Sequence, residues 1–363
     1  MIRAALLWFH RYVALVASIV LLVVALSGAA IVFEGAIDRA LNPALHHVAP
    51  AGTVVSLDTL VARATQAAGG APVSGLSIAL ARGRSASAVA GNRTVFLNPH
   101  TGDVLGTRTA GERDATLARW LHLLHVRLLG SPAGAAVVGA VTVVALLLVL
   151  TGLVLWWRER LWRIQWTASW KRLAFDLHHG FGVLASLVLV VITASGIVIH
   201  YDAIGRAIGG LDRTPPAPPV RQAAADARAA TISWDSVAAI ARRALPGATL
   251  IFLSQPPAPE TPLSASMRFP EDRTPGGRSR VTIDRFQGTV LQIENTRAAG
   301  LGTRLNNLKR SLHTGDVLGK PTEAVWMMAA LVLASQAVTG VLMWWNGRPA
   351  RTAERARRQG GTE

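Results

Sequence analysis

The sequence contains no cysteine. That excludes disulfides, thiolate metal sites and iron–sulfur clusters, so any redox chemistry must rest on a bound cofactor held by other ligands. Charge is also scarce: Asp, Glu, Lys and Arg make up 16% of the 363 residues, against 51% hydrophobic, and mean hydropathy is positive. Such a composition belongs to a membrane protein rather than a soluble one. Acids are the scarcer charge, 21 Asp+Glu against 37 Lys+Arg, for a formal net charge of +16. No Gly-rich nucleotide fingerprint follows a predicted strand, which leaves no site for NAD or flavin.

What is present begins with four apolar runs, at about residues 8–33, 133–157, 181–201 and 322–345. Each supplies the ~20 residues a helix needs to cross a hydrocarbon core. The first is too long for a signal-peptide core and lacks a small-residue cleavage site, so it reads as a retained helix. Arg158, Arg160, Arg163, Lys171 and Arg172 separate runs two and three, and Arg348, Arg351, Arg355, Arg357 and Arg358 follow run four. This clustering argues against nucleic acid as the partner of the basic charge. By the positive-inside rule both termini and the basic loop face the cytoplasm, and the long segments 34–120 and 202–321 lie outside. Contact with anionic membrane lipid is the expected role of these bases, with docking of a cytoplasmic reductase the alternative. Trp156, Trp157, Trp162, Trp166, Trp170, Trp344 and Trp345 gather at the inner boundary as an aromatic belt.

Two offsets run through the chain. At 188 positions, Leu124-His125 falls on Leu312-His313, Thr151-Gly152 on Thr339-Gly340, and Trp156-Trp157 on Trp344-Trp345. At 168 positions, His10 falls on His178, Ser27-Gly28 on Ser195-Gly196, and Glu34 on Asp202. The chain therefore reads as two halves, each a helix, an outer domain and a second helix, related as parallel repeats.

The outer segments read as small α+β units. Helical spacing at 57–68 precedes a predicted strand at 73–80, and a turn-rich hairpin follows at 95–105. In the second segment a Pro-rich linker at 214–219 leads to a helix at 234–245, a strand at 248–253 and the same hairpin at 281–291; 255–262 and 270–280 read as loops.

A retained first helix, a hairpin of the form Val-x-Leu/Ile-Asn/Asp-x-x-x-Gly-x-Val-Leu, and Leu-His before a helix ending in Trp-Trp together resemble the PepSY-associated transmembrane family, over about residues 8–346. The resemblance implies a bacterial inner-membrane protein linked to iron acquisition. It also implies similarity to ferric-siderophore reductases that carry b-type haem between their helices.

The expected fold is an α-helical integral membrane protein: four transmembrane helices in two parallel repeats with two small α+β PepSY-like extracytoplasmic domains. The expected order is helix one (1–33), outer domain one (34–120), histidine segment and helix two (121–157), basic loop (158–177), helix three (178–201), outer domain two (202–312), histidine segment and helix four (313–345), and basic tail (346–363).

Ten histidines are the candidate ligands. A neutral imidazole is a good axial ligand for haem iron, and two from different helices leave no open site, which suits electron transfer. The repeated ones are His10, His178, His125 and His313. The first two belong to the cytoplasmic end of their helices and the last two to the outer side, so two b-type haems, one near each face, are expected. Small residues (Ser18, Gly28, Ser186, Gly196, Gly152, Gly340) would let backbones or a flat macrocycle approach. His179, His122 and His200 are weaker candidates; His179 points ~100° from His178, so only one of the two is expected to face the slot, and His125 with His200 is an alternative pairing. His46, His47 and His100 fall in outer loops. Arg119, Arg127, Lys309, Arg310 and Lys320 near the outer histidines suit haem propionates or an anionic ferric chelate, or form a solvated rim. No catalytic residue is identified, because reduction of Fe(III) needs no acid or base from the protein.

The function expected is haem-dependent electron transfer across the membrane, from a cytoplasmic reductase or quinol to a ferric siderophore or similar ferric chelate. A membrane-anchored PepSY binding module and a siderophore transporter are the rival readings, and a homodimer sharing haem is a further arrangement. Interfacial anchoring alone would also explain single histidines beside tryptophans.

Overall fold

The computed structural model describes residues 1–50, 52–78, 83–109, 113–159, 163–212, 231–258 and 260–347. The expected Pro-rich linker, residues 79–80 of the first predicted strand, Arg160, Trp162 and the tail arginines lie outside these. The chain opens with α1 (Ile2–Ile31), short α2 (Glu34–Leu41) and α3 (Pro43–His46), and α4 (Leu57–Ala67). Strands β1 (Val73–Ser77), β2 (Ala86–Ala90), β3 (Arg93–Leu97) and β4 (Val104–Thr109) follow, then α5 (Arg113–Arg127), α6 (Pro132–Glu159), α7 (Trp170–His200) and α8 (Asp202–Gly209). The rest is α9 (Trp234–Ala244), β5 (Thr249–Ser254), β6 (Leu263–Arg268), β7 (Ser279–Ile283), β8 (Val290–Glu294), α10 (Leu301–Thr314) and α11 (Lys320–Asn346).

Four of these, α1, α6, α7 and α11, are long and apolar enough to cross a membrane. They pack in a ring in which α1 and α7 each touch both α6 and α11, so α1 and α7 face one another across a diagonal. The ring is lined by small and apolar residues: Ala17, Ser18 and Leu21 on α1, and Ala185, Ser186 and Leu189 on α7, are buried. The outer faces are apolar too, with Val16 86% and Leu184 74% exposed. An apolar exterior over an interior of small residues suits lipid rather than water. Helix α7 begins eleven residues before the apolar run it was expected to occupy. Asp176 makes the extension tolerable, because it is buried against Arg172 one turn earlier (2.9 Å) and accepts the Gln165 N–H (3.1 Å).

The outer segments depart from the expectation of two separate small units. Their strands form one antiparallel sheet in the order β4-β3-β2-β1-β5-β6-β7-β8, joined where Leu76 of β1 pairs with Leu253 of β5. Each four-stranded half alone would leave β1 or β5 as an unpaired edge, and pairing the two removes both edges. Both predicted hairpins form. Gly102 (φ 77°) and Gly288 (φ 71°) close them in the left-handed region, each donating its N–H four residues back, to Asn98 and Asp284. Strands β2 and β6 were missed because Ala-Ser-Ala-Val-Ala and Leu-Ser-Ala-Ser-Met-Arg carry little β-branched signal.

Helices α4 and α9 lie on one face of this sheet over a shared core that includes Leu60, Leu76, Val95, Leu253, Met267 and Ile283. Their N-termini cap each other. Asp58 accepts from the Trp234 and Asp235 N–H groups (2.8 and 3.3 Å), and Asp235 accepts from those of Leu57 and Asp58 (3.0 and 3.2 Å). On the opposite face, Asp38 of α2 accepts both Arg108 guanidinium nitrogens (2.9 and 3.1 Å) and meets His46 Nε2 at 2.9 Å, tying the end of α1 to the sheet.

Replacing Asp235 with Ala removes its carboxylate from the N-terminus of α4, where it accepts the Leu57 and Asp58 N–H groups, and is expected to cost about 0.5–2 kcal/mol, read as a lowered midpoint in thermal unfolding of detergent-purified protein. Adding Asp58→Ala should cost less than the sum of the single changes, because the two carboxylates share one junction. The Arg108 guanidinium holds the Asp38 carboxyl below the usual carboxylate range, against burial that raises it. A depressed folded-state pKa stabilises above the unfolded value, and that stability is lost as pH falls. Below about pH 4 the parent protein is therefore expected to lose stability that Arg108→Gln never had, so their unfolding midpoints should converge on acidification.

Candidate cofactor-binding site

An imidazole buried in an apolar bundle must place its N–H on an acceptor. The four repeated histidines all do so through Nδ1. His10 of α1 meets Thr151 Oγ1 of α6 at 3.0 Å, and His178 of α7 meets Thr339 Oγ1 of α11 at 3.0 Å. Each threonine hydroxyl donates to a carbonyl of its own helix, Leu147 or Ser335, so its oxygen is left to accept from the ring. His125 of α5 donates from Nδ1 to the Val24 carbonyl and His313 of α10 to the Ile192 carbonyl, both at 2.9 Å. The protons are therefore on Nδ1 and the lone pairs on Nε2, the tautomer in which a histidine presents a ligand nitrogen while its other nitrogen is held from behind.

The structure brings these rings together in two pairs. His10 and His178 have centroids 6.3 Å apart and nearly perpendicular planes (87°), and His125 and His313 have centroids 6.0 Å apart at 44°. With a metal–imidazole bond of about 2.0–2.1 Å and roughly 1.1 Å from nitrogen to ring centre, two imidazoles on opposite sides of one ion have centroids roughly 6.3 Å apart. Both pairs meet that spacing, and the donor set fits a metal whose other positions are already filled. Among the described residues, no group of three or more His, Asp or Glu side chains could hold a bare ion.

The glycines do a different job from the one expected. A Cβ on Gly28 would lie 2.8 Å from the His125 ring, on Gly196 3.0 Å from His313, on Gly152 3.2 Å from His10 and on Gly340 3.4 Å from His178. They make room for the imidazoles, and Gly152 and Gly340 also line the cavity beside His10 and His178.

The depths also differ from expectation. His10 and His178 are not at their helix starts but eight residues inside α1 and α7. His125 and His313 do not stand outside the membrane segments. Helices α5 and α10 fold back along α1 and α7, and place these rings against Val24 and Ile192, seven and eight residues inside the helix ends. The chain turns back sharply after each: Leu128 and Leu129 have positive φ (46° and 78°) before α6, and Gly315 does the same (79°) before α11. On both α1 and α7 fourteen residues separate the two layers, about 21 Å.

The weaker candidates scatter. His179 lies beside His178 (5.9 Å between centroids) with its Nδ1 on the Phe175 carbonyl. It lines the same cavity as His10 and His178, so the expectation that only one of the adjacent pair faces the slot is corrected. Tilts of the rings about their side-chain bonds let both reach it. His122 is exposed. His200 abuts Gly139 and Tyr201. His46 is engaged with Asp38, and His100 Nδ1 meets the Thr53 carbonyl at 3.4 Å. Lys320 pairs with Glu323 and lies over Phe33.

The cavity at the His10 layer measures about 240 Å³ and is walled by all four long helices. Sequence reasoning missed Gln336 in its wall, and missed the role of Thr151, Thr339 and the Val24 and Ile192 carbonyls. For Thr151, Thr339, Val24 and Ile192 the signal was available, since the 188 and 168 offsets carry each contact onto its counterpart.

No curated protein matches the chain. The family model described as the PepSY-associated TM region matches residues 7–346, nearly the whole chain, and with its four candidate spans the protein is a multi-pass member of that family.

Proposed function

We propose that the protein carries electrons across the membrane through two b-type haems and delivers them to a ferric chelate, such as a ferric siderophore, on the side of the sheet. The observation that carries this reading is the pair of facing imidazole pairs, each ring locked in one tautomer with a bare Nε2, at two depths in an apolar bundle. His10 and His178 would hold one haem, His125 and His313 the other. When bound, such a haem would supply a one-electron Fe(III)/Fe(II) couple.

The rest is the work of this chain. Thr151 and Thr339, and the Val24 and Ile192 carbonyls, hold the rings and raise the basicity of Nε2. Gly28, Gly196, Gly152 and Gly340 keep the ring positions clear. Buried Leu21, Ala145 and Leu148 on one side, and Ala185, Leu189 and Ala329 on the other, keep water from the stretch between the layers. Reduction weakens hard-oxygen chelation of iron, so release follows without a protein acid or base.

In this reading the shared sheet with α4 and α9 is the PepSY-like extracytoplasmic part, the halves are parallel repeats, and the termini and basic loop are cytoplasmic in a bacterial inner membrane. Arg163, Lys171 and Arg172 at the end away from the sheet support that orientation, and the exposed Trp157, Trp166, Trp170 and Trp345 mark the membrane interface there.

Protein purified from haem-replete cells is expected to show a Soret band and sharp bands on dithionite reduction, with two haems per chain. His313→Ala and His10→Ala should each lose about half of the pigment, and Gly196→Val should lose the same half as His313→Ala with helix content unchanged by circular dichroism. In proteoliposomes loaded with reductant, only the coloured parent should form Fe(II) from an external ferric chelate. A protein that stays colourless after haem addition would leave a membrane-anchored sheet whose histidines are structural.

A further inference from the structure

The cavity away from the sheet contains more than an imidazole pair. It runs along α1 from Arg3 and Leu7, past His10, to Leu21, eighteen residues or roughly 27 Å of helix. Its wall is apolar over most of that length, yet Gln336 and His179 place polar atoms in it that the His10–His178 pair does not use. Gln336 Nε2 is shielded from solvent and has no hydrogen-bond partner. His179 spends its Nδ1 proton on the Phe175 carbonyl at 2.9 Å, which leaves its Nε2 as an acceptor. Neither belongs to the recurring pattern. Under the offsets that superpose the histidines, Gln336 falls on Leu148 and His179 on Arg11. One half has thus placed a donor and an acceptor in an apolar wall where the other has an aliphatic side chain and an arginine. An amide N–H left unpaired there is costly, so a ligand oxygen is the natural partner.

We propose that this cavity binds the head group of a lipid-soluble quinol beside the His10–His178 pair, which makes a membrane quinol the electron donor; the inference rests on the haem reading above. The chemistry matches on three counts. A quinol hydroxyl donates to His179 Nε2, the Gln336 amide donates to the other ring oxygen, and the apolar length of the cavity takes an isoprenoid tail. The ligand would reach the site from the bilayer itself. Oxidation of one quinol breaks two O–H bonds and gives the quinone, two protons and two electrons. The protons leave to water at the Arg3 end, and the electrons reduce ferric haem iron to ferrous, one at a time.

The test uses the full-length haem-loaded protein in lipid nanodiscs, rapidly mixed with a short-chain ubiquinol and followed through the haem spectrum. Gln336→Leu is the informative variant, because Leu148 at the matching position shows that the bundle accommodates leucine there. The parent should be reduced by the quinol. Gln336→Leu should be reduced about tenfold more slowly, with haem content and dithionite-reduced spectrum unchanged. Oxidised quinone, titrated against the fluorescence of Trp156 and Trp344 in the cavity wall, should bind with a Kd about tenfold weaker in the variant. Parent protein that holds two haems, accepts electrons from dithionite and ignores the quinol, or a variant that matches the parent in rate and Kd, overturns the quinol site and leaves the haem reading intact. Absence of haem from the parent overturns the haem reading itself.

Discussion

A histidine ring in an apolar four-helix bundle has one N–H and one lone pair to place, and the architecture depends on where the N–H goes. Here it goes backwards, from Nδ1 to a threonine hydroxyl or a backbone carbonyl on a neighbouring helix. Each such bond contributes about 0.5–1.5 kcal/mol net, and leaving the group unpaired would cost about 1–3 kcal/mol. That modest energy also fixes the tautomer, which leaves the lone pair on Nε2 in rings whose centroids stand 6.3 and 6.0 Å apart in the two pairs. Glycine at 28, 152, 196 and 340 is the steric consequence. The sharp turns after α5 and α10 follow as well, since without them His125 and His313 would sit in the outer segments instead of against Val24 and Ile192.

The sheet serves the same arrangement from outside. Pairing β1 with β5 and crossing the Asp58 and Asp235 caps locks the two halves together at a distance from the bundle. The Asp38–Arg108 pair then carries that rigidity to the end of α1. Where the halves match, the contacts match: Val16 and Leu184 face outward, Ala17 and Ala185 inward. At Gln336 and His179 they differ in the wall of the cavity at the His10–His178 layer.

Much of this was legible in the sequence. Four spans, both hairpins and the helices α4 and α9 follow from apolar run length, turn residues and helical spacing, because these are local signals. The two offsets also put the four repeated histidines in register. The shared sheet was not legible, since the β1–β5 pairing joins residues nearly 180 positions apart and depends on edge closure rather than local propensity. The early start of α7 was hidden by Asp176, which is charged in sequence and buried against Arg172 in the fold. The glycines were read as room for a cofactor because sequence gives small size without saying which neighbour uses the space.

The most direct measurement of the central claim is a low-temperature electron paramagnetic resonance spectrum of the oxidised, detergent-purified protein, with spins counted per chain. Two distinct low-spin ferric signals of equal intensity are expected. One should carry the strong anisotropy of the nearly perpendicular His10–His178 rings, the other that of the 44° His125–His313 pair. A spectrum without low-spin haem iron, or one dominated by high-spin iron with an open axial position, would contradict the account.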